Sequence, residues 1–301
     1  MAVVSIAACG DESDDARPTE PSAESPTVPE EQTISYFAAY EGTGSEPTML
    51  RFVPGSDEGW PVAVLLHGYG MDGSGMTPLA TRLAERGLIV YAPTYRHPLQ
   101  GVSIDMMESG EWPGATLLGD LACAIRRALQ DATDQGADPD RLTLVAYSQG
   151  ATFGATVTIL GDDRAFVSPT AGPCVATEGS AVPDAFVGWE GAYDWDEVAS
   201  AEFPQLVEVA PDAIRLLGPL PHVEAGRGDE LVPFHLRAGD QVYRSFSHAD
   251  QLTTFGAALE DAGWPVTAEV LPGRFHTDFV EPPGIPEMDD LIVRIANDPT
   301  G

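Results

Sequence analysis

Past its first thirty-two residues, the chain alternates short apolar runs with amphipathic ones, and few folds accept that succession. The runs 33–40, 48–53, 61–66, 88–92, 142–146, 185–189, 233–238 and 266–271 are predicted as strands. The segments 77–86, 115–132, 249–262 and 286–295, and the stretch after Ser148, carry helical patterning. On 115–132, for instance, Leu118, Leu121, Ile125 and Leu129 fall on one side. Strands separated by helices predict an α/β fold, with one mostly parallel eight-stranded sheet covered by helices on both faces. No repeat or break in composition interrupts 33–301, which reads as one domain.

The 301 residues carry a net charge of -32, and every basic residue is arginine. Such a surface repels nucleic-acid phosphates and anionic headgroups, so nucleic acid is excluded as a partner. Residues 10–32 are rich in Asp, Glu, Ser, Thr and Pro and nearly free of large apolar side chains. They cannot bury enough surface to fold and are expected to form a disordered tether. Ahead of them, Ile6-Ala7-Ala8-Cys9-Gly10 resembles a bacterial lipobox, whose cysteine is lipidated. Residues 1–9 then read as a signal remnant; the alternative is a small apolar stub. No stretch is long enough to span a bilayer, so membrane contact is expected only through a lipid on Cys9. The expected location is outside the cytoplasm, lipid-anchored or secreted. Cys123 and Cys174 remain as a pair, on predicted neighbours in the fold, and are expected to form a disulfide; two buried thiols are the alternative. Nothing in the sequence sets an oligomeric state.

The chemistry centres on Ala146-Tyr147-Ser148-Gln149-Gly150, between the buried run 142–146 and a helical run. A serine on a tight strand-to-helix turn is held in a strained backbone with its hydroxyl exposed, and small residues on either side let strand and helix pass closely. Ser148 is therefore the candidate nucleophile; an ordinary helix cap is the bland alternative. A nucleophilic serine needs a base, an orienting acid and donors for the oxyanion. His67-Gly68-Tyr69-Gly70 follows the third strand, and the backbone N–H groups of Tyr69 and Gln149 are the expected donors. His67 itself is expected to hold that loop. The loop also spells Gly68-x-Gly70-x-x-Gly73, but no acidic residue ends the next strand to hold a ribose, so nucleotide binding is set aside.

His276 alone among six histidines follows the last strand and precedes the last helix, which makes it the expected base. His97, His222, His235 and His248 are read as surface or strand residues, and no metal is expected. The acid is contested. Asp240 follows the alternating run 233–238 at a normal connection length before the next helix, and it is preferred. Asp229 is the rival, and Glu190 and Asp194, after the sixth strand, remain open.

The strand followed by HGYG, then AYSQG, RAGD and LPGRFH, resembles the α/β-hydrolase superfamily in its esterase and lipase branch. The stretches 138–141 and 263–266 are similar to those of secreted carboxylesterase, feruloyl-esterase-like and dienelactone-hydrolase-like members. The resemblance implies that Ser148, Asp240 and His276 hydrolyse a small-molecule ester through an acyl-enzyme, without metal or organic cofactor. An amidase, peptidase or thioesterase of the same fold is one alternative, and a binding lipoprotein without turnover another. Loop 96–113, with Met106, Met107 and Trp112, is expected to be a lid or pocket wall, and Trp189 and Trp195 to line a pocket or lie in the core.

Overall fold

A computed structural model describes residues 30–38, 47–55, 58–99, 101–165, 170, 172–180, 182–225, 231–241 and 247–299. The lipobox with Cys9, most of the tether, and Asp229 lie outside the described residues.

Eight strands form one sheet in the order β1-β2-β4-β3-β5-β6-β7-β8. They are β1 (Glu30–Ser35), β2 (Thr48–Val53), β3 (Val62–Leu66), β4 (Ile89–Pro93), β5 (Leu142–Tyr147), β6 (Ala185–Trp189), β7 (Phe234–Gly239) and β8 (Val266–Leu271). Strands β3 to β8 pair in parallel, while β2 runs antiparallel to both β4 and β1. β1 starts at Glu30, so the last three residues of the expected tether belong to the sheet. A polar edge strand such as Glu30-Glu31-Gln32-Thr33 lacks the alternation that marks a half-buried one.

Strands β3 to β6 are buried at every position, as a parallel sheet covered on both faces requires. One face is covered by α3 (Leu117–Asp134), α4 (Gln149–Ala165) and α8 (His248–Asp261), which contribute Leu121, Phe153 and Phe255 to its core. The other face is covered by α1 (Thr77–Ala84) and α9 (Pro286–Asn297), through Leu79, Leu83, Leu291 and Ile295. Arg82 Nε on α1 donates to Asp289 Oδ2 on α9 at 2.7 Å, which ties those two helices together. The remaining helices are short: α2 (Ile104–Ser109), and α5 (Trp195–Glu202), α6 (Pro204–Val209) and α7 (Pro211–Arg215) between β6 and β7. α2 packs against α6, which joins the loop after β4 to the insertion after β6. Among the described residues no helix is long and apolar enough to cross a membrane.

Cys123 on α3 and Cys174 are joined by a disulfide across a sequence separation of 51 residues. In the chain-entropy picture, closing a loop of that size stabilises the fold by about 4 kcal/mol.

Candidate active site

The carboxyl ends of the central strands carry the chemistry-bearing residues. Ser148 follows β5 at once, with φ 55°. This left-handed conformation is unfavourable for a side-chain-bearing residue. It is locked by the Ser148 amide, which donates to the Trp189 carbonyl at 2.8 Å, and by the Ser148 carbonyl, which accepts from the Ala151 amide at 2.9 Å. Gly150 permits the turn, because a Cβ there would lie 2.4 Å from the Leu66 carbonyl oxygen. Ala146 stands where many such elbows have glycine. Its methyl group faces Gly154 of α4, where an added Cβ would touch it at an ordinary 3.5 Å but crowd Leu66 Cδ1 at 2.9 Å.

His276 Nε2 lies 2.9 Å from Ser148 Oγ. The ring is held from behind by Glu190, whose Oε2 makes a short hydrogen bond with His276 Nδ1. With Nδ1–H donating to the carboxylate, Nε2 is left as the acceptor for the Ser148 hydroxyl. Glu190 directly follows β6, is fully buried and has φ 51°. Among the described residues, Ser148 and Glu190 are the only non-glycine residues with positive φ. The second oxygen of Glu190, Oε1, accepts the Gly239 amide at 2.7 Å. Gly239 is confined to glycine by the same approach: an added Cβ would meet the Arg274 carbonyl oxygen at 2.1 Å and Glu190 Oε1 at 2.8 Å.

The structure thus sets Glu190, and not the expected Asp240, against the His276 ring. Asp240, one residue past β7, faces solvent; its Oδ1 accepts the Gly273 amide at 2.8 Å and the Gln241 side-chain amide at 2.7 Å. The Gln241 bond, followed by that from Gly273, holds its carboxyl below the usual range. Asp240 fastens the turn leading to His276, whereas the imidazole itself rests on Glu190. Asp194, the other open candidate, caps α5 by accepting from the Glu197 amide at 3.1 Å.

His67 stacks on Tyr95 with ring centroids 4.0 Å apart. Its Nδ1 donates to the Gly68 carbonyl at 2.9 Å, and its Nε2 accepts the Tyr95 amide at 3.3 Å. Burial pushes its pKa down to about 4, so the ring is neutral near pH 7. In an unfolded chain this imidazole takes up a proton near pH 6.5. Between pH 6.5 and 4 the unfolded state therefore binds the extra proton, and His67 removes stability as pH falls through that window, by about 3 kcal/mol at its end. Urea midpoints measured from pH 7 to 4 are expected to fall more steeply for the wild type than for His67→Gln. Parallel curves would contradict this account.

Tyr69, Ser148, Gln149, Trp195, Phe203, His248 and His276 all line a cavity of about 90 Å³. Tyr69 and Gln149 thus flank the space over the serine hydroxyl, and an added Cβ at Gly68 would come within 3.1 Å of Ser148 Cβ. A second, larger cleft of about 800 Å³ shares Met71 and Gln149 with the first. It is walled by Arg96, His97, Met106 and Glu111, so part of the 96–113 loop does form a pocket wall. Met107 and Trp112 of that loop are buried core residues instead. Trp189 is likewise core, fully buried and donating its indole N–H to the His276 carbonyl at 3.1 Å.

His248, expected on a surface or strand, is buried at the first turn of α8. Its ring stacks on that of His276 with centroids 4.8 Å apart and an 11° interplanar angle, and its Nε2 is 3.9 Å from Glu190 Oε2. Glu190, His248 and His276 offer donor atoms within 4.8 Å of one another, a spacing at which a metal ion could be held. The two nitrogens of His276 are, however, each directed at a hydrogen-bond partner, Ser148 and Glu190.

No family model matches the chain. A probable isoprenylcysteine alpha-carbonyl methylesterase of Arabidopsis thaliana is 26% identical over 284 residues, which cover 87% of this chain and 53% of the relative. The chain therefore spans about half the length of the curated relative it matches. A carbohydrate esterase from gut microbiota, solved in truncated form, superposes with a TM-score of 0.69 at 16% identity, covering 90% of this chain and 98% of the other. A butyrate-bound esterase from Thermogutta terrifontis gives 0.63 at 17% identity, covering 89% and 92%. These likenesses establish the α/β-hydrolase fold.

Proposed function

We propose that the protein is a carboxylic ester hydrolase in which Ser148, His276 and Glu190 act as nucleophile, base and orienting acid. The observation that carries this reading is the continuous chain from Ser148 Oγ through both nitrogens of one imidazole to a buried carboxylate. That chain is what proton removal from a serine hydroxyl requires. The esterase names of the fold's neighbours and of the curated methylesterase support the bond type.

His276 takes the Ser148 proton as Oγ attacks the ester carbonyl. Glu190 keeps the proton on Nδ1 and stabilises the imidazolium. The Tyr69 and Gln149 amides receive the oxyanion; removal of one such donor costs about 3 kcal/mol in transition-state stabilisation. The imidazolium hands its proton to the departing alcohol, and water, activated by the same base, releases the acid. With Cys123 and Cys174 bridged, work outside the cytoplasm fits the cysteine chemistry, and a lipid on Cys9 would supply the anchor.

The acyl carbon is bonded to Ser148 in the intermediate, so its chain must fit the cavity that Ser148 lines. At about 90 Å³ that cavity is small beside the neighbouring cleft of about 800 Å³. Acetyl to butyryl p-nitrophenyl esters are expected to be cleaved at least about tenfold faster, by kcat/KM, than the octanoyl ester, since even one methylene of misfit in a pocket is worth about 1–3 kcal/mol. The same panel run with p-nitroanilides tests the bond type. Faster anilide cleavage would replace the esterase reading with an amidase one, and a flat or rising profile to octanoyl would remove the short-acyl assignment.

A further inference from the structure

We propose that His248 is a positioning residue, a platform that fixes the plane of the His276 imidazole; this rests on the hydrolase reading above. Glu190 holds His276 through one edge atom, Nδ1, and Ser148 meets it through another, Nε2. Two contacts lying in the plane of a ring leave it able to roll about the line between them. Contact with the ring face removes that freedom. His248 supplies this contact, since its ring lies 11° from parallel with that of His276 and it is only 3% exposed.

His248 is itself well anchored. It opens α8, whose preceding residue, Ser247, accepts the Asp250 amide through its side chain. One turn on, Gln251 accepts the Asp194 amide at 2.6 Å and donates to Glu197 Oε2 at 2.8 Å. The platform is thereby tied to the segment that follows Glu190, so the carboxylate and the ring that flanks His276 are positioned by one connected unit. The Tyr147 ring, with its centroid 4.9 Å from that of His276, gives a second, more tilted contact.

The role predicts a loss in the chemical step rather than in binding. With p-nitrophenyl acetate, His248→Ala is expected to lower kcat roughly ten- to a hundredfold, the scale of a small misplacement of a catalytic group. KM should stay within about twofold of wild type, because the role acts on the His276 ring rather than on the bound acyl group. The rate of Ser148 labelling by a fluorophosphonate should fall in parallel. His248→Phe, which keeps a flat ring, is expected to recover kcat to within about threefold. Melting temperatures of both variants separate the platform from simple filling of the core. Unchanged kcat in His248→Ala, a change confined to KM, or failure of a stably folded His248→Phe to recover kcat would each overturn the proposal. If the wild type itself neither turns over esters nor takes the label, it is the hydrolase reading that fails.

Discussion

Ser148→Ala is expected to lower kcat for p-nitrophenyl acetate by a factor on the order of 10⁴–10⁶ while leaving the fold intact. The hydroxyl is the one atom on the path between the imidazole and a bound carbonyl, and its removal leaves only the polarising amides and the cavity to act. The substitution also removes no core contact, since Ser148 is partly exposed and its side chain is directed to His276. Circular dichroism and melting temperature should therefore match the wild type, and fluorophosphonate labelling should vanish. A variant that kept even a tenth of the wild-type rate would show that hydrolysis proceeds elsewhere.

Glu190→Gln is expected to be nearly as damaging, with kcat lowered by about 10³–10⁴, whereas Asp240→Asn should stay within about threefold of wild type. Glutamine fills the same space and can still accept the Gly239 amide. Facing Nδ1, however, it either presents an N–H₂ group, which favours the tautomer with Nε2 protonated, or offers a neutral oxygen that stabilises the imidazolium poorly. In Asp240→Asn the amide oxygen of the new side chain could still accept the Gly273 amide, so the turn before His276 would survive. The reverse ranking, with Asp240→Asn inactive and Glu190→Gln healthy, would return the acid to the end of β7.

The fold and two of the three residues of the proposed triad were legible in the sequence for physical reasons. β5 and β6 are buried throughout, so they stand out as uninterrupted apolar runs, and Ser148 and the α4 glycines mark a tight crossing. His276 was marked by its place after the final strand. The proposed acid was not legible, because Glu190 and Asp240 carry equal signals: each is a carboxylate next to the end of a buried strand, in a chain full of carboxylates. What separates them is reach. Glutamate, from a left-handed residue just past β6, brings one oxygen to His276 and the other to the Gly239 amide, and no pattern in the primary structure encodes that amide's direction. The flanking glycines of Gly188-Trp189-Glu190-Gly191 were the available hint that the backbone there departs from an ordinary strand end. His248 gave no hint, since a histidine at the start of a helix reads as surface until the packing of α8 on the site is known.

Ser148 and Glu190, the two non-glycine residues with positive φ among those described, carry a consequence for attempts to make this protein more heat-resistant. Each holds its main chain in a conformation that costs on the order of 1–3 kcal/mol for a residue with a side chain, and both belong to the proposed reacting group. Glycine at either place would relax the backbone and delete the functional group in the same stroke. Selection for thermal endurance alone would thus be drawn toward inactive sequences at positions 148 and 190, so any such screen must demand turnover at every round.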